Sequence, residues 1–388
     1  MKLACVIHRY GTDVTGGSEA HCRAIAERLS AHHDVTVLTS CARDYVSWRD
    51  EYPAGTSSVG PVTVMRFPVT RTRRLNDFRY ISELVFGDRA SIGEQERWFE
   101  ENGPLVPGLI EHLVKERAAY DRVLFWSYRY YPSFFGVRAV PGKAILVPTA
   151  EEDPLIRASI LSSFFALPKG YLYLTPEEQQ LITAHIPGTR IPSETIGIGL
   201  EPARAGAEPQ AFRALGVASP YVLYVGRIER NKGCETLLRH MTRYLTEGHP
   251  PVPLVMAGPA FMPIPDHPMI RPLGFVPDEV RDALIANARA LVVPSPYESL
   301  SIVLLEAWNR GVPALVNARC RVLKGQVERA NAGLHYNDVR EFCEGLRFFV
   351  SEPAIAQQLG RQGLAYVDRE YRWPVVMQKV ETMLQRTM

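Results

Sequence analysis

Paired cysteines are the first thing this chain lacks. Its 388 residues hold six, at positions 5, 22, 41, 234, 320 and 343, with no C-x-x-C among them. That scatter excludes a disulfide framework and a zinc module built on paired cysteines, and reads as reduced thiols in a cytosolic protein, mostly packed as small hydrophobes. Long apolar runs are also missing. No window approaches eighteen uncharged apolar residues, so no segment reads as a membrane span. The opening "MKLACVIHRY" has too short an apolar stretch, closed by His8 and Arg9, to read as a secretory signal. Charge of one sign is not in excess: 44 Lys and Arg face 42 Asp and Glu, a formal +2. Such a chain has no global field with which to grip nucleic acid, and an anionic partner must be met locally. No G-x-G-x-x-G dinucleotide fingerprint occurs, which argues against a nicotinamide oxidoreductase. No D-x-D carboxylate pair occurs either; "EED" at 151–153 comes nearest, and no metal ligands are assigned. Solenoid-period repeats and low-complexity tails are absent.

What is present is an ordinary globular composition, 46% apolar and 22% charged, on a chain longer than one core usually organises. Short β-branched runs alternate with amphipathic stretches. "LACVIH" (3–8), "DVTVLTS" (34–40), "VTVMRFPV" (62–69), "RVLFWS" (122–127) and "KAILVPTA" (143–150) read as strands, with a helix in "GSEAHCRAIAERLSA" between the first two. The same grammar restarts with "YVLYVGRI" (221–228), "VPLVMAGP" (252–259), "ALVVPS" (290–295) and "PALVN" (313–317). Strand, helix, strand in that order implies parallel sheets with right-handed crossovers. The expectation is α/β: two doubly wound Rossmann-like domains, 1–195 and 196–370, facing a central cleft. The stretch "GIGLEPARAGAEPQAF" (197–212) reads as their connection. Residues 371–388 read as a last amphipathic helix packing back toward the N-terminal domain.

Chemistry in such a sheet belongs on the loops after the strands. "GTDVTGGSEAH" (11–21) places Gly16 and Gly17 where the chain enters a helix. Two residues without Cβ admit a phosphate close to the backbone and to free N–H groups, although a glycine turn capped by Ser18 reads equally well. "GRIERNKGCETLL" (226–238) brings Gly226, Arg227 and Lys232 to one strand–helix loop. A guanidinium fork and an ammonium point charge suit a diphosphate there, and a solvated charged turn is the plain alternative. "VVPSPYESLSIVLLEAWNRG" (292–311) carries two carboxylates, Glu298 and Glu306, in a run otherwise small and apolar. The amides of Ser299, Leu300 and Ser301 read as facing the cleft from a helix start, with Ser299 or Ser301 as N-cap. Glu298 then lies in the loop just before that helix; were the helix to reach it, eight residues would turn about 80° and keep the two carboxylates on one general side. A buried, unpaired carboxylate is costly. Hydroxyls of a ribose or sugar would satisfy it, and so would an internal partner such as Arg319 or Arg321.

Together "GGSE", "VGRIERNKG", "GFVPDEVRDAL" (274–284) and the E-x7-E element "ESLSIVLLE" resemble the GT-B glycosyltransferases, specifically the large retaining family numbered 4 (group 1). The match is firmer in the second half. This resemblance implies a nucleotide-diphospho-sugar co-substrate, UDP- or GDP-linked, with no further cofactor. By the same pattern Arg227 and Lys232 hold its diphosphate and act in catalysis with Glu298, which contacts the transferred sugar. Glu306 takes the ribose hydroxyls, Phe275 and Val276 lie along the nucleobase, and Gly16 and Gly17 close over the diphosphate. Metal-independent transfer with retention to a sugar or lipid-linked acceptor, in the cytoplasm and in polysaccharide biosynthesis, is what the family implies. One departure stands out. Where relatives often have a His after the strand "KAILVPTA", this chain reads "PTAEEDP", so Glu151 or Glu152 takes that sugar or acceptor contact; His8, His21 and His185 do not obviously replace the missing group. "RFPVTRTRRLNDFRYISELVFG" (66–87) interleaves five arginines with aromatics and reads as a solvated loop and basic helix face or as a peripheral contact with the inner membrane face. Trp126, Tyr128, Tyr130, Tyr131 and Phe134 read as a sugar-stacking rim or as core. A nucleotide-sugar epimerase, a sugar phosphorylase and a non-catalytic sugar-nucleotide-binding protein share the architecture and remain rivals.

Overall fold

A computed structural model describes residues 1–203, 210–217 and 219–388. Residues 204–209, inside the stretch read as a connection, lie outside the described residues. The chain divides into two compact units, one of Met1–Ile198 with Val376–Met388 and one of Gly199–Val375.

The first unit holds an eight-stranded sheet: β1 (Lys2–Val6), β2 (Asp34–Ser40), β3 (Gly55–Val59), β4 (Val62–Phe67), β5 (Arg122–Trp126), β6 (Ala144–Val147), β7 (Gly170–Tyr173) and β8 (Ser193–Thr195). Their spatial order is β3-β4-β2-β1-β5-β6-β7-β8. All pairs are parallel except the β3–β4 hairpin. Parallel strands covered by helices on both faces need apolar residues throughout. β5 (RVLFW) and β6 (AILV) are accordingly buried along their whole length. The polar β3 (GTSSV) is largely exposed at the sheet edge. The core on one face is aromatic: Phe99 and Phe134 stack at 3.7 Å and 5°, and Trp98, Tyr128 and Phe165 fill in around them. The sheet is closed by the last helix, Trp373–Arg386, whose residues from 376 onward group with this unit. His33 Nε2 lies 3.0 Å from Glu381, Arg122 Nε donates to Thr387 Oγ1 at 3.2 Å, and Arg386 pairs with Glu194.

The second unit holds a six-stranded, all-parallel sheet: β9 (Val222–Val225), β10 (Leu254–Ala257), β11 (Ile270–Gly274), β12 (Ala290–Val293), β13 (Ala314–Asn317) and β14 (Gly333–Tyr336), in the order β11-β10-β9-β12-β13-β14. Helix Ile302–Trp308 follows β12. Trp308 anchors it, fully buried, its Nε1 donating to the Ala332 carbonyl at 2.9 Å. Helix Pro353–Glu370 crosses closely here, because a Cβ on Gly363 would stand 2.6 Å from the Trp308 ring.

The crossovers change direction at β1/β5 in the first sheet and at β9/β12 in the second. Loops leaving the C-terminal ends of two strands at such a point diverge and open a crevice, which is where ligands bind in open α/β sheets. Both doubly wound sheets expected from the sequence are therefore present.

Candidate active site

The second unit brings the sequence-predicted groups to its switch point. Gly233 adopts φ +75°, and a Cβ there would lie 2.2 Å from the Pro294 carbonyl oxygen, so glycine alone lets the loop after β9 lie against the loop after β12. Asn317 Nδ2, at the end of β13, donates to that same carbonyl at 3.1 Å and fixes the second loop. The consequence is direct contact between the two: Lys232 Nζ donates to Glu298 Oε1 at 2.8 Å, with both side chains partly buried. Arg227, on the same loop as Lys232, is 55% exposed and pairs with Glu229 at 3.2 Å. Gly226, the residue before it, directly follows β9 with φ +142°.

Glu306 projects from helix Ile302–Trp308 and is 20% exposed. Among the described residues one side chain reaches its carboxylate: Arg281 Nη2, at 3.4 Å. The internal partner is thus Arg281 and not Arg319 or Arg321. Arg281 is itself divided, lying 3.2 Å from Asp278 and 3.6 Å from Asp282. Burial pushes the Glu306 carboxyl up, Arg281 pulls it down, Asp282 pushes it up again, and the balance stays above the ordinary carboxylate range. This is a desolvated carboxylate whose two nearby cations, Arg281 and Arg310, are both shared with Asp282. The helix begins after Ser301, whose side chain makes no cap. Leu300 and Ser301 are buried, and the Ser301 N–H donates to Gln326 Oε1 at 3.3 Å, so that amide already has a protein partner. Phe275 and Val276 follow β11, and Phe275 stands 80% exposed.

In the first unit Gly16 precedes helix Gly17–Leu29 as an N-cap with no side-chain cap, and both glycines are exposed. A Cβ on Gly16 would overlap the Glu19 carboxylate, 2.2 Å away. Glu19 is buried beneath that turn. His8 Nε2 lies 3.0 Å from it, Arg9 Nε donates at 3.0 Å and Ser18 Oγ at 2.8 Å. Burial alone would raise the Glu19 carboxyl, but His8 and Arg9 hold it well below its usual range. His8 also stacks on Tyr130 at 3.7 Å, which ties the loop after β1 to the loop after β5 across the switch point. Glu19 was missed as a site residue in the sequence, although it stands in the quoted "GGSE"; a short-range motif does not reveal that its carboxylate collects three donors.

Glu151 is half-buried and Arg129 lies 3.5 Å from it; Arg129 also grips Asp153, while Glu152 is exposed. Sequence reading gave Arg129 no role. Of the two readings of the aromatic cluster, core holds for Trp126, Tyr128, Tyr131 and Phe134, which are all buried. Of the five arginines in 66–87, four serve internal contacts. Arg66 donates to the Tyr10 carbonyl, Arg71 and Arg74 share Glu101, and Arg73 donates to Asn102.

Residues 210–365 match the protein family described as "Glycosyl transferases group 1". Within the second unit this stretch is similar to the group 1 glycosyl transferases. The chain as a whole has the GT-B fold. It superposes over 99% of its length on 98% of sucrose-phosphate synthase from Thermosynechococcus elongatus, with TM-score 0.73 at 18% identity. Anabaena HepE in complex with UDP is covered completely by the complete chain, with TM-score 0.70 at 15% identity. Glycogen synthase of Mycobacterium tuberculosis is 29% identical over 179 residues, 43% of this chain and 43% of that protein. The match thus spans less than half the length of that curated relative. The matched residues 210–365 include the Lys232–Glu298 pair and the desolvated Glu306.

Proposed function

We propose that this chain is a glycosyltransferase that takes a sugar from a nucleotide-diphospho-sugar, UDP- or GDP-linked, and delivers it to a sugar or lipid-linked acceptor. One observation carries the reading: at the β9/β12 switch point a lysine, a carboxylate 2.8 Å from it and a second, desolvated carboxylate are gathered on loops and a helix that bury them without neutralising Glu306. A diphosphate takes Lys232 and Arg227, ribose hydroxyls take Glu306, and the sugar meets Glu298. Gly226 and the amides of Ser299 and Leu300 line the phosphates, with Ser301 supporting the loop from its bond to Gln326. Phe275 and Val276 flank the base. In the first unit Gly16 and Gly17 offer an uncapped helix start suited to a phosphate, and Glu151 and Glu152 are carboxylates suited to a sugar or acceptor.

In the reaction the bond from the anomeric carbon to the phosphate oxygen breaks while the acceptor oxygen bonds the same carbon from the same face, which retains configuration. The acceptor proton passes to the leaving phosphate. Negative charge grows on that phosphate, and Lys232 with Arg227 is the pre-placed countercharge that makes the step independent of a metal. HepE solved with UDP and with glucose supports a uridine donor. Among the described residues no helix is long and apolar enough to cross a membrane. Peripheral contact with an anionic bilayer belongs to the proposal through Arg79 and the exposed Leu75, Tyr80 and Phe86. Calorimetric titration against a panel of nucleoside diphosphates, followed by mass spectrometry of donor hydrolysis, tests the reading. Absence of binding to every nucleotide sinks it, and binding without turnover of any donor leaves a sugar-nucleotide-binding protein instead.

A further inference from the structure

Away from the donor-side loops, the second unit assembles three side chains whose chemistry none of the above uses. Helix Cys234–Thr246 ends at Glu247, and the chain turns back through His249 toward β10. Cys343 comes from helix Val339–Ser351. A carboxylate oxygen of Glu247, an imidazole nitrogen of His249 and the Cys343 sulfur lie within 4.8 Å of one another.

Each of the three is held. The His249 ring stacks on Tyr244 at 4.9 Å with 13° between planes, and the Tyr244 hydroxyl donates to the Pro250 carbonyl at 2.7 Å. Arg243 Nε donates to Glu247 Oε1 at 2.6 Å, which orients the carboxylate. Its other oxygen, Oε2, lies 3.6 Å from His249 Nε2. That distance is too long for a hydrogen bond. It is near the ~3.3 Å chord that separates nitrogen and oxygen ligands of a tetrahedral zinc ion with bonds of ~2.0–2.1 Å. Cys343 is buried, and burial with Glu247 nearby pushes its thiol up to about 11.

We propose that Glu247, His249 and Cys343 form a Zn²⁺ site with a water in the fourth position. An O, N, S donor set is one that zinc accepts and that magnesium and calcium do not favour. The thiol is deprotonated as the metal enters, so binding releases a proton. Sulfur–nitrogen and sulfur–oxygen chords at such an ion are ~3.6 Å, so a separation at the 4.8 Å limit closes by roughly 1 Å through rotation of the side chains at its two ends. Arg243 acts as the outer-shell partner of the carboxylate. The site lies near the N-terminal end of β10, whereas Lys232 and Glu298 follow the C-terminal ends of β9 and β12. It staples two helices and stands apart from the donor chemistry. A sequence search for paired cysteines could not find it, because its ligands are one of each kind and come from two elements.

The test uses the full chain, stripped with chelator and titrated with Co²⁺, then with Zn²⁺ in competition. One equivalent of Co²⁺ is expected, with the near-ultraviolet charge-transfer band of a cobalt–thiolate bond that one equivalent of Zn²⁺ abolishes. Cys343→Ser should lose the band, and His249→Ala should weaken binding by at least the roughly 10–100-fold that even an outer-shell loss costs. Glu247→Gln, on the surface, serves if Cys343→Ser does not fold. Absence of the thiolate band in the wild-type chain, or unchanged affinity in His249→Ala and Glu247→Gln, overturns the site.

Discussion

Glu306→Gln separates a side chain kept for a ligand from one kept for the fold. In the folded chain burial holds the Glu306 carboxyl above its ordinary range. The folded state therefore binds that proton more tightly than the unfolded state does. Stability contributed at this position is present at low pH and is lost as pH rises through the raised value. At neutral pH the ionised group costs stability, and a neutral isostere removes the cost. The contact with Arg281 at 3.4 Å, shared with Asp278 and Asp282, is too weak to reverse that sign. Glu306→Gln should melt at or slightly above the wild-type temperature, a gain of at most about 1 kcal/mol or about 3 °C. Ribose binding moves the other way. A carboxylate accepts both diol hydroxyls, and an amide keeps one acceptor, so one charge-assisted bond of about 1.5–3 kcal/mol is lost, roughly 10–100-fold in Kd. Scanning calorimetry and titration with UDP and GDP read the two quantities on the same samples. A variant that melts several degrees lower and binds nucleotide as tightly as the parent would mean that Arg281 is the true partner and the ribose assignment is wrong.

Lys232→Met should cut turnover by about 100–1,000-fold, the scale of losing one preorganised countercharge; a steady-state assay showing less than about a fivefold change refutes its role. Glu298→Gln in a double-mutant cycle with Lys232→Met should return coupling of about 0.5–3 kcal/mol in nucleotide binding, and additive effects would uncouple the pair. Glu19→Gln removes the buried charge and one of the two oxygens that meet His8, Arg9 and Ser18, and puts an NH2 donor among donors; a loss of about 3–5 kcal/mol is expected, on the order of 10 °C in melting. Because the Glu19 carboxyl is depressed, its contribution is present above the ordinary carboxylate range and fades as pH falls, so the variant's deficit should shrink in acid. Gly363→Ala drives a Cβ to within 2.6 Å of the Trp308 ring and should lower the urea midpoint by an amount worth about 1–3 kcal/mol.

The interior strands were legible because a strand buried on both faces has to be apolar end to end, as in "ALVV" and "AILV". The strands not read were β3, β7, β8, β11 and β14. Four of these, β3, β8, β11 and β14, are the four sheet edges. An edge strand pairs on one side only and keeps polar or mixed residues, as "GTSSV", "SET" and "IRPLG" do. The fifth, "GYLY", is an interior strand whose leading glycine and two tyrosines hide its burial. At the site, the loop positions of Arg227, Lys232 and Glu298 could be read from strand ends, since the chain itself orders loop and strand. Their pairing could not. That Lys232 meets Glu298, that Arg281 is split among three carboxylates, and that Glu19 collects three donors all depend on long-range packing that no local pattern encodes.

The first unit draws its last strip of structure from residues 376 onward, which follow the whole second unit in the chain. A ribosome releasing the first 198 residues exposes a sheet still lacking the segment that supplies Glu381 and Thr387. Maturation of that sheet has to wait until its neighbour has been synthesised. A laboratory fragment cut between Ile198 and Gly199 inherits the same gap permanently; joining the 376–388 segment to it through a short linker is the way to obtain the unit by itself.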